Sequence, residues 1–322
     1  MLMSASQLSE IDSLESGAPA APAAPTVPAA APAVPAAPAV PAAPAVPAAP
    51  AKPAAHRVAL AVTDLRVEAG GAELVRGVSF TVGAGEIVGL VGASGSGKTL
   101  TCRAVLGLLA PGCVRTGGEI RLGDTDLTVL DRRGWDAVRG TRVGTVFQDP
   151  ASYLNPSIPV GRQLVEALRL KTGLDREGAR ARALELFASV GLRHPETVYG
   201  AYPHELSGGM AQRVMIAIAV SGDPDLLVAD EPTSSLDALV QAGVLGLLRR
   251  LATDRGLALL LVTHDLAVVA ELCDRVLVCD AGEIVEQGPA ASVVADPAHP
   301  RTRALIEAAS VWHREPAAGG VR

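Results

Sequence analysis

From residue 58 onward, short apolar runs alternate with glycine-marked breaks. The runs 58–67 and 75–82 interleave apolar with polar positions and predict two antiparallel strands. Residues 86–91, 143–147, 226–229 and 258–262 are nearly continuous in apolar side chains, the pattern of strands buried on both faces of a parallel sheet. A further strand is expected over 117–122, and a closing hairpin over 276–279 and 283–287 turned at Ala281-Gly282. Helical patterns fall between the strands at 100–109, stopped by Pro111-Gly112, and again at 212–221 and 240–253. Over about 149–204 the strands cease, and Leu164, Leu168, Ala183, Leu184, Phe187 and Val190 follow helical spacing. The expected fold is therefore α/β: a mainly parallel, doubly wound core sheet with an antiparallel β subdomain and an inserted helical subdomain. Ligands of such a sheet bind at the carboxyl ends of its strands.

Residues 1–56 break this pattern. After a short polar start, the repeat Val-Pro-Ala-Ala-Pro-Ala from Val27 to Lys52 places proline every two or three residues. Missing donors and fixed φ prevent helix or ladder formation, so a disordered, extended Ala/Pro-rich arm is expected. The balance of 28 Lys+Arg against 34 Asp+Glu leaves a net charge of −6, which excludes a basic field for nucleic acid. Aromatics are only 2%, so the core must be aliphatic. No apolar run is long enough to span a bilayer and no secretory leader pattern opens the chain, so a cytoplasmic location is expected. The cysteines, at 102, 113, 273 and 279, lack metal-ligand spacing and are expected to be reduced and mostly buried.

The candidate chemistry begins at Gly92-Ala93-Ser94-Gly95-Ser96-Gly97-Lys98-Thr99, which fits G-x-x-x-x-G-K-[ST] between a predicted strand and a predicted helix. Glycine-rich backbone amides and the first helical turn through Leu100 form a cradle for phosphates. Lys98 supplies a point charge to them, and the Thr99 hydroxyl is a ligand for Mg²⁺. The apolar run 226–229 delivers Asp230 and Glu231 at its carboxyl end, a costly pairing unless a cation and a water use it. Asp230 is expected in the Mg²⁺ shell, with Glu231 polarising the attacking water. His264 follows 258–262 and Gln148 follows 143–147, so both are expected at the same edge: His264 toward the γ-phosphate, Gln148 toward the metal and the water. A second glycine-containing helix start, Leu206-Ser207-Gly208-Gly209-Met210-Ala211-Gln212-Arg213, lacks a lysine and cannot be a complete site; Ser207 is its expected cap.

That stretch, with the phosphate loop, Asp230-Glu231-Pro232-Thr233-Ser234-Ser235-Leu236-Asp237 and His264, resembles the ATPase domain of the ABC transporter superfamily, a P-loop NTPase, over residues 58–309. The resemblance implies ATP and Mg²⁺ as cofactors, and a head-to-tail pair in which Ser207, Gly208 and Gly209 of one subunit close over the partner's ATP. Asp237 would couple the two sites. The segments Phe147-Gln148-Asp149-Pro150, Leu154-Asn155-Pro156, 202–210 and 299–305 look like those of the oligopeptide, dipeptide and nickel importer ATPases. That branch implies ATP-driven uptake of peptides or nickel, with a second ATPase subunit, two transmembrane permeases on which the helical block docks, and indirectly an extracytoplasmic binding protein. The chain would then sit on the inner face of the cell membrane. Rival readings are a soluble ABC-type regulatory ATPase without permeases, and an exporter subunit. The family's adenine-stacking aromatic would fall near Ala69, and no aromatic lies between Val58 and Ser79, so either a modest nucleotide affinity or a relaxed adenine selectivity is expected.

Overall fold

The structure is a computed structural model that describes residues 57–312; the expected arm over 1–56 and residues 313–322 lie outside the described residues. Strands β1 (Val58–Ala69) and β2 (Ala72–Gly83) form a hairpin, and β3 (Ile87–Val91) leads through the glycine loop into α1 (Lys98–Val105). Then come β4 (Cys113–Leu122), β5 (Thr125–Asp126), α2 (Arg132–Val138) and β6 (Val143–Val146). The helical block holds α3 (Pro150–Tyr153), α4 (Val160–Thr172), α5 (Arg176–Ser189), α6 (Pro195–Gly200) and a 3-10 turn at Pro203–Glu205. The α/β alternation resumes with α7 (Gly208–Val220), β7 (Leu226–Asp230), α8 (Ala238–Arg255), β8 (Ala258–Val262) and α9 (Leu266–Leu272). Strands β9 (Arg275–Asp280) and β10 (Glu283–Pro289) and helices α10 (Ala290–Ala295) and α11 (Pro300–Trp312) complete the described chain.

The strands divide between two sheets. An antiparallel sheet runs β2-β1-β4-β5, and a six-stranded sheet runs β10-β9-β3-β8-β7-β6, parallel except for the closing β9–β10 hairpin. Every residue of β3 and β8 is buried. Their side chains alternate between two cores. Ile87, Val91, Leu259 and Leu261 pack with the helical side around Phe187, whereas Val88, Leu90, Leu260 and Val262 pack with the antiparallel sheet around Leu60, Val78 and Ile120. Both faces of the sheet are thus covered, which is why these runs read as continuously apolar.

Helix α1 ends earlier than its apolar pattern predicts. Gly107 adopts φ 62°, its amide donates to Ala104 O, and the Leu108 amide donates to Arg103 O at 2.7 Å, closing the helix at Val105 well before Pro111-Gly112. A Cβ at Gly107 would also lie 2.4 Å from the Trp135 ring. The expected helix over 212–221 begins earlier, at Gly208, with Ser207 capping through Oγ to the Met210 amide. None of the described helices is long and apolar enough to cross a membrane.

Candidate active site

Strands β3, β8, β7 and β6 lie side by side and parallel, so their carboxyl ends share one edge of the sheet. That edge collects the loop 92–97 from β3, Thr263 and His264 from β8, Asp230 and Glu231 from β7, and Gln148 from β6. The four expected strand ends therefore do converge.

The loop is tightly built. Gly92 has φ 155°, and a Cβ there would sit 2.1 Å from the Cys279 carbonyl oxygen and 2.7 Å from Ser96 Oγ, so only glycine lets this backbone pass. Gly97, at φ 103°, is the N-cap of α1 and supplies no side chain to its first turn. The leading amides of α1 therefore face a ligand without competition from a cap. Lys98 is only 8% exposed, and its Nζ donates to Gly92 O and Ala93 O at 2.8 Å each. Burial pulls its pKa below the ordinary value, while nearby Cys279, Glu231 and Asp230 act in the opposite direction. Ala93, Ser94, Gly95 and Thr99 are exposed, and Ser96 is buried beneath them. An anion that takes the lysine's hydrogen bonds would exchange neutral carbonyl acceptors for charged ones.

Glu231 sits at the centre of the edge. Its backbone is left-handed, φ 46°, and its amide donates to Val262 O at 2.8 Å, pinning it to β8. Gln148 Nε2 donates to Oε2 at 3.1 Å, and His264 Nδ1 lies 2.9 Å from Oε1. A carboxylate only accepts, so Nδ1 carries the proton and Nε2 of this largely exposed ring is left for a ligand. A non-glycine residue in this backbone region is strained, and the three tethers hold it there. Beside the carboxylate lies a polar depression of about 130 Å³ lined by Glu231, Thr233, Ser234, Gln241, Thr263 and His264 among others. It has room for a few waters.

Asp230, next along β7, is half-buried. Burial first, and then the adjacent Glu231, push its carboxyl pKa above the ordinary value, and Arg103 and Lys98 offset this only in part. A desolvated carboxylate short of positive charge suits a divalent cation. The arrangement offers an anion cradle on the loop, a carboxylate at Asp230 suited to a cation, and room for a water against Glu231.

The family model described as ABC transporter matches residues 75–234. The dipeptide transport ATP-binding protein DppD of Haemophilus influenzae is 44% identical over 230 residues, covering 71% of this chain and 69% of that one. The chain belongs to the ABC transporter ATP-binding subunits. The oligopeptide transport ATP-binding protein AppD of Bacillus subtilis is also 44% identical, over 72% of this chain and 71% of its own length. Among solved structures, a dimeric, post-hydrolysis ATP-binding cassette bound to ADP and Pi aligns with a TM-score of 0.64 at 27% identity, covering 72% of this chain and 98% of that one. The structure of cbiO1 from Clostridium perfringens, part of the ABC transporter complex cbiONQ, aligns with a TM-score of 0.67 at 26% identity, covering 74% of this chain and 92% of that one. As an ABC ATPase, the chain binds and hydrolyses ATP.

The expected second glycine turn, Ser207, Gly208 and Gly209, opens α7. A Cβ at Gly208 would lie 3.4 Å from Leu236 Cδ2, and one at Gly209 would lie 2.3 Å from Val240 Cγ1. Asp237 Oδ1 accepts from the Val240 amide at 3.0 Å and caps α8. The signature turn thus packs against the Asp237 segment of its own chain. Gln241 was not legible as a site residue; it reaches the depression because it sits one helical turn beyond Asp237 on α8. Cys102, Cys273 and Cys279 are buried free thiols, and Cys113 is partly buried.

Proposed function

We propose that this chain is the ATP-hydrolysing subunit of an importer for di- or oligopeptides. It would work as a head-to-tail pair with a second ATPase subunit beneath two transmembrane permeases on the inner face of the cell membrane, fed by an extracytoplasmic binding protein. The observation that carries the chemistry is the Glu231 carboxylate held at both oxygens, by Gln148 and His264, on the edge that bears the phosphate loop. Peptides are favoured over nickel because the relatives compared carry dipeptide and oligopeptide transport names.

In this reading the loop amides and Lys98 bind the β- and γ-phosphates of ATP. Glu231 takes a proton from the water as the water oxygen bonds to the γ-phosphorus and the bond to ADP breaks, giving inorganic phosphate. Gln148 and His264 fix the carboxylate, and His264 offers Nε2 to the γ-phosphate. Thr99, Asp230 and Gln148 would hold Mg²⁺, which when bound neutralises phosphate charge. Ser207, Gly208, Gly209 and Asp237 serve the partner's nucleotide.

Cells whose only copy carries Glu231→Gln should lose uptake of labelled di- and oligopeptides and keep uptake of labelled nickel. Loss of nickel uptake alone would move the substrate to the metal. Unchanged uptake of both, or failure of export instead, would favour a soluble or exporting role.

A further inference from the structure

The turn between β9 and β10 lies directly behind the phosphate loop. The Ser96 carbonyl accepts two hydrogen bonds from it: one from the Gly282 amide at 2.9 Å and one from Cys279 Sγ at 2.9 Å. Gly282 is itself tied at its other face, where its carbonyl accepts from the Arg76 amide at 2.8 Å. Contacts here are too close for side chains. A Cβ on Gly282 would lie 2.5 Å from Leu74 O, and one on Gly97 would lie 3.3 Å from Gly282 Cα. The turn reaches this position through left-handed backbone at Ala281 (φ 48°) and Gly282 (φ 87°).

Peptide planarity gives these contacts a consequence. The Ser96–Gly97 peptide is trans, so its N–H points opposite to its C=O. A carbonyl drawn back onto the hairpin turns the Gly97 amide the other way, away from the hairpin. Without the two donors, that peptide could rotate and aim a carbonyl dipole at the anion. Burial raises the Cys279 pKa, so the thiol keeps the proton it donates.

We propose that Cys279 and Gly282 are positioning residues for nucleotide binding, holding the Ser96–Gly97 peptide with its amide toward the phosphates. This rests on reading residues 92–99 as the phosphate loop. The thiol is the testable half, because serine preserves the donor and alanine removes it.

The test uses the full-length chain carrying Cys279→Ala or Cys279→Ser, with ATP affinity measured by calorimetry and turnover on the same samples. Cys279→Ala should weaken ATP affinity and raise KM by up to about fivefold, the ceiling set by one ordinary hydrogen bond because a thiol is a weak donor, while kcat falls far less. Cys279→Ser should stay close to wild type. A purely structural role would instead lower stability in both variants without separating KM from kcat. In the wild-type chain, ATP should also slow alkylation of Cys279 relative to Cys273, read by mass spectrometry, which needs no variant to fold. If wild type binds ATP and Cys279→Ala binds it equally, the positioning role fails alone. If wild type does not bind ATP, the phosphate-loop reading fails and takes this one with it.

Discussion

Replacing Glu231 by glutamine isolates the proposed base from its surroundings. The side chain keeps its length and shape, and the amide oxygen can still accept from one neighbour. Its NH2 group then meets the other: turned toward Gln148, it is accommodated by a flip of that amide, and turned toward His264, by the tautomer that accepts at Nδ1. Both neighbours can adapt, so the cost to folding should stay below about 1 kcal/mol, the scale of a single net hydrogen bond. The phosphate loop contributes its own contacts through Lys98 and α1 and is untouched, so ATP affinity should hold. Proton acceptance by the carboxylate is lost outright, and general-base groups contribute about 10²–10⁴-fold. Single-turnover hydrolysis of labelled ATP, with affinity measured in parallel, should show a drop of that size in rate at unchanged binding. Glu231→Asp provides the complementary perturbation: it keeps the charge but cannot span the distance between Gln148 and His264, so it too should be slow. Retention of more than about a tenth of wild-type turnover by Glu231→Gln would refute the base assignment.

Three further outcomes follow from the same geometry. Gly92→Ala forces a Cβ to within 2.1 Å of the Cys279 carbonyl, so ATP binding by equilibrium dialysis should be lost even where the protein still folds; normal affinity would contradict the described loop. Lys171, at the end of α4, donates to Ile218 O and Ser221 Oγ at the end of α7, tying the helical block to the signature helix. Lys171→Met should cost about 1–3 kcal/mol and lower Tm by several degrees in calorimetry, and an unchanged Tm would remove that tie. Burial pushes the Cys273 thiol from its ordinary value of 9.0 up to about 12. Below about pH 9 both folded and unfolded chains hold this proton; above it the unfolded chain releases it first, so stability is lost as pH rises through that window. Cys273→Ala should flatten the fall in urea midpoint between about pH 9 and 11, by at most about 1.4 kcal/mol per pH unit, and an unaltered slope would contradict the assignment.

What was legible in the sequence was whatever depends on periodicity or on a fixed local spacing. The strands buried on both faces announced themselves as unbroken apolar runs, and their carboxyl ends then located Gln148, Asp230, Glu231 and His264. The phosphate loop was legible because its glycines and Lys98 must lie within one short turn. Helix ends were less so. Proline marked a stop for α1, but the backbone stopped earlier, where Gly107 could take the left-handed turn and the Trp135 ring left room for no side chain. Helix α2 was missed altogether: it has seven residues, of which only Val138 is buried, too short a stripe to register as a period, although Asp131 caps it through the Gly134 amide. Long-range pairings left no local trace. Nothing near Ser96 signals that a thiol 183 positions away donates to its carbonyl. Nor does the run from Ala229 to Pro232 reveal that Glu231 is left-handed and clasped from β6 and β8.

The central claim, that this ATPase drives transport through membrane-embedded partners, is tested most directly by purifying the tagged full-length chain from its own membranes in mild detergent. Mass spectrometry identifies what accompanies it, and ATP turnover is measured on the same sample. The account predicts two multi-spanning membrane proteins and a second ATPase subunit in the preparation, with turnover that disappears in Glu231→Gln. Recovery of the chain wholly from the soluble fraction, without membrane partners, would contradict the transport assignment while leaving the ATPase chemistry in place.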